Sequence, residues 1–225
     1  MAFRRRLASF ALACLFWDPV VSLAAVINPG FDQGATGFAS WQFSGELVNT
    51  GQQAALLDSG LGRTYIWQTL EGPDGPAIFS FDFLLSLTGV GLPGSVPDVM
   101  FASLYFFSDA GAFDPGDFSS FSNVIAVADF DSHGADNPTA VSPGVVISPS
   151  TKGSSYRHLA FQFQHPGGKL APVFEVNNLN GVAGDSLAAI DNVTLTVVPE
   201  PASLLLLLMV CPLLLRRHRK GKISC

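Results

Sequence analysis

Residues 79–87 alternate in a way that few folds accommodate. Phe79, Phe81, Phe83, Leu85 and Leu87 are apolar, and the residues between them, Ser80, Asp82 and Ser86, are polar, with Leu84 the exception. Side chains of an extended strand point to opposite faces in turn, so the stretch predicts a strand with one buried face and one largely wet face. Leu159, Phe161 and Phe163 alternate with Gln162 and Gln164 in the same manner, and Val193, Leu195 and Val197 alternate with Asn192, Thr194 and Thr196. Further strands are expected within 41–48, 53–57, 64–70, 99–107, 121–128, 140–147 and 171–176. Turn formers separate them: Gly60 and Gly62, residues 72–76, residues 91–94, Pro115 with Gly116, and residues 166–168. No apolar stripe of helical period runs through this body. About eight to ten short strands at such spacing predict an all-β domain, a β-sandwich or jelly roll. Sixteen phenylalanines between residues 25 and 197 can fill the space between two sheets.

The two ends do not belong to that domain. Arg4, Arg5 and Arg6 precede a mostly apolar run over 7–17, and Ser22 and Ala24 place small residues at a cleavage site. This is the layout of a secretory signal peptide spanning 1–24, with an apolar run too short to span a bilayer comfortably. The expected domain, 25–197, contains no cysteine, which excludes a disulfide scaffold. Between residues 25 and 201 only Arg63, Lys152, Arg157 and Lys169 are basic against 17 acidic residues, a net charge of −13. Such a surface repels nucleic acid and suits cations, cationic partners or neutral glycans.

At the other end, Val198, Pro199, Glu200 and Pro201 lead into residues 202–215, which are apolar apart from Ser203. Arg216, Arg217, His218, Arg219 and Lys220 follow. As a helix, 202–215 is about 21 Å long at ~1.5 Å per residue, short of a ~30 Å hydrocarbon core. It reads as one weak transmembrane helix with a basic stop that keeps the carboxyl end in the cytoplasm. The tail 198–225 resembles the PEP-CTERM sorting domain of Gram-negative bacteria. That resemblance implies export across the inner membrane by the Sec machinery and recognition by an exosortase. It further implies cleavage near Pro199–Pro201 and a place at the cell surface or in the extracellular matrix, linked to exopolysaccharide.

The body carries a second resemblance at its two ends. Asn28, Pro29, Gly30, Phe31 and Asp32 with Phe38 and Trp41, and Ala189 to Leu195 at the close, are similar to the first and last strands of carbohydrate-binding-module-like jelly rolls. In that family the two strands pair, and a structural calcium often lies between them. Asp191 shares odd parity with Val193, Leu195 and Val197 and is expected to point inward, where an unpaired carboxylate needs a cation or several donors. A structural calcium held by Asp191, Asp32 and nearby carbonyls is therefore expected. Asp129, Asp131 and Gly134 mimic half of a calcium loop, and Asp109, Asp114 and Asp117 form a looser acidic group. Tyr65 and Trp67 share parity in one strand and with Trp41 offer a sugar-stacking platform. No catalytic residue stands out: His133, His158 and His165 lie at irregular spacings, and nothing singles out two carboxylates for glycoside hydrolysis. The chain is thus expected to be a non-enzymatic surface or matrix protein; the alternatives are a carbohydrate-binding module and a secreted hydrolase.

Overall fold

The 79–87 alternation does form a strand, and a longer one than the sequence suggests. In a computed structural model, which describes residues 25–34, 37–50, 53–57, 62–88, 97–108, 113–179 and 186–198, the described residues contain strands and turns and no helix. The strands are β1 (Gln42–Ser44), β2 (Glu46–Asn49), β3 (Ala54–Leu57), β4 (Arg63–Trp67), β5 (Leu70–Ser86) and β6 (Val99–Phe107). The remainder are β7 (Asn123–Phe130), β8 (Ala140–Val141), β9 (Val145–Pro149), β10 (Arg157–Asn177) and β11 (Leu187–Val197). Each of their pairings is antiparallel.

Two long strands organise the rest. The first half of β10 lies between β5 and β9, and its second half lies between β4 and β6. One layer therefore runs β2-β3-β11-β5-β10-β9, and the other runs β1-β4-β10-β6-β7-β8. Rings from the two layers meet between them: Phe81 of β5 packs edge-on against Phe174 of β10 at 4.8 Å, and Phe83 against Phe130 of β7 at 4.9 Å. This is the sandwich that the strand spacing predicts, with phenylalanines at its centre.

The expected turns at 72–76 and 166–168 are instead the corner where β5 and β10 pass from one layer to the other. The two glycine-rich stretches face each other in register, with Gly72 opposite Gly168 and Gly75 opposite His165. Gly167 and Gly168 take φ of 79° and 85°, values that a residue with a Cβ rarely adopts. Paired strands that bend together keep their ladder, so turn residues do not end them.

The opening segment closes one end of the core. Asn28, at φ 55°, donates from Nδ2 to the Gly37 and Ala39 carbonyls and accepts at Oδ1 from the Asp32 and Gln33 N–H groups. Its own carbonyl accepts from Trp41 Nε1 at 3.0 Å. Phe31 is thereby set against Trp41, with ring centroids 4.9 Å apart, inside the core. Pro29 O accepts from Val193 N–H, which places this segment beside β11, as the second resemblance implies. The signal peptide 1–24 lies outside the described residues. So do residues 199–225, with Pro199, Glu200, Pro201, Arg216, Arg217, Arg219 and Lys220. Val198, the last described residue, donates its N–H to Pro76 O at 2.8 Å.

Candidate functional site

The outer face of the β4–β10–β6–β7 layer carries an unusual row. Tyr65 lies opposite Glu175, Glu175 opposite Phe101, and Phe101 opposite Asp129. Each of the four is flanked along its strand by buried residues: Thr64 and Ile66, Phe174 and Val176, Met100 and Ala102, Ala128 and Phe130. Alternation therefore turns all four side chains outward. Ring, carboxylate, ring and carboxylate follow one another across about 14 Å at ~4.8 Å per strand.

One side of this row is open and polar. Arg63 of β4 meets Glu175 through two nitrogens, Nε at 2.6 Å from Oε1 and Nη2 at 2.8 Å from Oε2. Asn177 Nδ2 donates to Oε1 at 2.7 Å. The Arg63 guanidinium also stands over the Tyr65 ring, 4.7 Å from its centroid. Burial works against the Arg63 charge, but the hydrogen bond and charge of Glu175 outweigh it and hold its pKa above the ordinary value. Burial pushes the Asp129 carboxyl up, and Asp129 Oδ1 is covered and has no hydrogen-bond partner among the described residues.

The other side is aromatic and roofed. Trp67, Phe107, Phe113, Ala171 and Val173 form a second apolar cluster, with Tyr65, Tyr105 and Phe121 packed against it. Phe107 and Phe113 stack at 4.8 Å, and Tyr105 meets Phe121 edge-on at 4.7 Å. Burial, then the Glu175 charge, raises the Tyr105 pKa, with Arg63 opposing. The roof is residues 113–121, held in turns by their own aspartates: Asp114 Oδ1 accepts from Gly116 N–H, and Asp117 Oδ1 accepts from Ser119 N–H. A Cβ on Gly116 would stand 3.3 Å from the Tyr65 hydroxyl, so the roof backbone rests against that phenol. Phe118 at its tip is 84% exposed.

Tyr65 and Trp67 share this face, as their parity predicts, and stack at 5.3 Å. Trp67, however, is only 9% exposed. It belongs to the floor of the aromatic cluster, which leaves Tyr65 and Phe101 as the half-buried rings of the open side. Trp41 is elsewhere, in the main core. Glu175, Arg63 and Asp129 do not stand out in the sequence, because only strand register brings them together.

Asp191 departs from the inward orientation expected of it. The β11–β5 register shifts between Asp191 and Thr194, and Asn192 takes φ 49°. This bulge inserts a residue and reverses parity, so Ile190 and Val193 enter the core while Asp191 lies opposite Asp82 on the outer face. Both carboxylates are nonetheless only 4% exposed. Lys152, from the connection between β9 and β10, reaches Asp191 Oδ2, and Asp191 Oδ1 accepts from Asn192 N–H at 2.7 Å. Asp82 is met by His158 Nδ1 at 2.9 Å and Asn192 Nδ2 at 2.7 Å. Asp32 is exposed.

These residues do not fit the expected calcium site: an ammonium occupies the cation's place on Asp191. Among the described residues no three His, Cys, Asp or Glu side chains gather as a metal set. In the 129–139 segment, Asp131 turns to His133 at 2.6 Å and Asp136 pairs with Arg157, away from the outward-facing Asp129. A small cleft of 180 Å³ lined by Ala25, Val26, Pro29, Val193, Thr194 and Leu195 holds no titratable side chain.

No family model matches the chain, and no curated protein matches it. Among solved structures it is similar to TmCBM61 in complex with β-1,4-galactotriose, at 14% identity and TM-score 0.40 over 78% of this chain and 99% of that one. It is also similar to the Emp47p carbohydrate recognition domain, at 9% identity and TM-score 0.44 over 77% of this chain and 97% of that one. A third is the enzymatically active domain of bacteriophage CBA120 tailspike protein 4, at 14% identity and TM-score 0.45; the match covers 78% of this chain but spans only 21% of that one.

Proposed function

We propose that the β domain is a glycan-binding module without catalytic activity, exported and sorted to the cell surface or matrix by the two end segments. The observation that carries this reading is the row Tyr65, Glu175, Phe101 and Asp129 with its flanking Arg63 and Asn177. A sugar ring is apolar on its C–H faces and polar at its hydroxyl edges. The half-buried Phe101 ring offers a partner for the C–H faces and the carboxylates beside it for the hydroxyls, while Tyr65, held between Arg63 and Trp67, walls the row and the aromatic roof shields one flank from water. The acidic body suits a ligand that carries no strong negative charge. Export rests on the basic and apolar leader, and sorting rests on the resemblance of 198–225 to PEP-CTERM tails; exosortase and the Sec machinery are the partners this implies, with matrix exopolysaccharide as the ligand.

A glycan array probed with the full-length protein in detergent tests the binding reading. Saturable binding that Phe101→Ala abolishes is expected. Binding unaffected by that substitution would place the ligand elsewhere, and release of reducing ends from a bound glycan would overturn the non-enzymatic reading.

A further inference from the structure

We infer that the open side of the β4–β10–β6–β7 face selects an uncharged, hydroxyl-rich glycan over an acidic one, and that Asp129 reads it. The inference rests on the glycan-binding reading above and names the ligand class for the same face. Its first ground is the charge balance of the row. Arg63, the cation beside it, already meets both oxygens of Glu175, and Asn177 takes a further lone pair of that carboxylate. Little positive charge is left for a uronate, sulfate or phosphate on an incoming chain. Asp129 adds a second carboxyl to the row, and the other basic residue on this face of β10, Lys169, lies opposite Phe107 at the aromatic end. An anionic glycan laid along the row meets two carboxyl groups against one neutralised guanidinium, and like charges brought together in a partly dry site repel.

The second ground is Asp129 itself. The carboxyl lies between core residues Ala128 and Phe130 on β7 and opposite Phe101 on β6, at the end of the row away from Tyr65. Neither of its oxygens has a hydrogen-bond partner among the described residues; Oδ1 is covered by the fold, which leaves Oδ2 as the oxygen a ligand can reach, whereas Glu175 is fully met and Asp131, two positions on, is tied to His133. A half-buried carboxyl with unused hydrogen-bonding capacity is uncommon in a sheet unless something else completes it. A sugar hydroxyl can donate to that carboxylate, whereas a uronate, sulfate or phosphate brings further acceptors and negative charge.

Titration calorimetry with the full-length protein in detergent tests this. The probes are hexamers of β-1,4-linked glucose, xylose and galactose, and an oligogalacturonate. At least one neutral probe should bind while the uronate does not. Asp129→Ala should weaken the neutral probe about tenfold or more, the loss of roughly one hydrogen bond to a charged group, while Asp129→Asn, whose amide oxygen still accepts, stays within about threefold. Unchanged far-ultraviolet dichroism in both variants separates this from misfolding. Equal binding of the uronate, or full affinity in Asp129→Ala, overturns the inference and leaves the glycan-binding reading standing. If no probe binds, neutral or acidic, both fall together.

Discussion

The two outer faces of the sandwich each carry a pair of carboxylates, and they treat them in opposite ways. On one, Asp82 and Asp191 lie directly opposite in neighbouring strands, where like charges are destabilising. That pair is sealed: His158, Asn192 and Lys152 meet it, and the β9–β10 connection that brings Lys152 is tied across by Tyr156 to Gln53. On the other, Glu175 and Asp129 are separated by Phe101, flanked by rings, and met on one side only. A polar cluster whose hydrogen bonds all close within the fold is a structural device. One with aromatic walls and an oxygen left over is built toward something outside the chain.

The comparison predicts that stability is concentrated in the sealed cluster. Lys152→Met removes the ammonium and leaves Asp191 charged and almost fully covered beside Asp82. Breaking such a pair should cost about 3 kcal/mol, near the low end for buried ion pairs because the Lys152 side chain is 24% exposed. For a domain of this size that lowers the melting temperature by roughly 6–12 °C in a calorimetric scan. Arg63→Met, on the open face, should cost about 1 kcal/mol, since its guanidinium is a third exposed and solvent takes over part of its role. Glycan affinity should fall more than stability does. If Arg63→Met destabilises more than Lys152→Met, the division into a structural face and a binding face is wrong.

The corner joining the layers gives a smaller, pH-dependent effect. His165 is buried there, and its Nδ1 accepts from Gly167 N–H at 2.8 Å, so the fold needs that nitrogen unprotonated. Burial lowers its pKa, against a smaller opposing effect of Asp74. The unfolded chain therefore binds the proton more readily. The contribution is complete above the unfolded value of about 6.5 and is lost as pH falls through the lower folded one. The melting temperature should decline from pH 7.5 to 5.5, and His165→Asn, whose amide oxygen can still accept, should decline less over that window. Equal slopes would mean that the corner does not sense the proton.

How much of this was legible beforehand depends on whether the signal was local. The alternation at 79–87 and at 193–197 is local, so the strands and the two-layer class could be read from it. The shared facing of Tyr65 and Trp67 is equally a matter of parity within one strand. The burial of Trp67 is not, because it depends on residues 113–121 folding over it. The same holds for the row from Tyr65 to Asp129, whose members are up to 110 positions apart in sequence and meet only through the register of three strand pairs. Asp191 shows the sharper failure: one bulge at Asn192 reverses the parity on which its inward placement depended. The corner glycines misled for a related reason, since turn chemistry marks a bend without saying whether the strand continues beyond it.

The smallest expected effect is none, and it bears most directly on the sealed face. A buried carboxylate needs positive charge or donors, and Lys152 already supplies the charge for Asp191. A calcium ion would have to displace that ammonium and then find several more oxygens. Adding millimolar calcium, or EDTA, should therefore leave the melting temperature of the native protein unchanged. Lys152→Met turns this null result into a positive test. With the ammonium gone, Asp191 and the neighbouring Asp82 form a two-carboxylate site, and hard cations favour such oxygens. Calcium should then recover part of the stability that the variant loses, and magnesium, which demands stricter geometry and gives up its water reluctantly, should recover less. A native protein that melts several degrees higher with calcium would show instead that the cluster is completed by a metal, and that Lys152 is its neighbour, not its substitute.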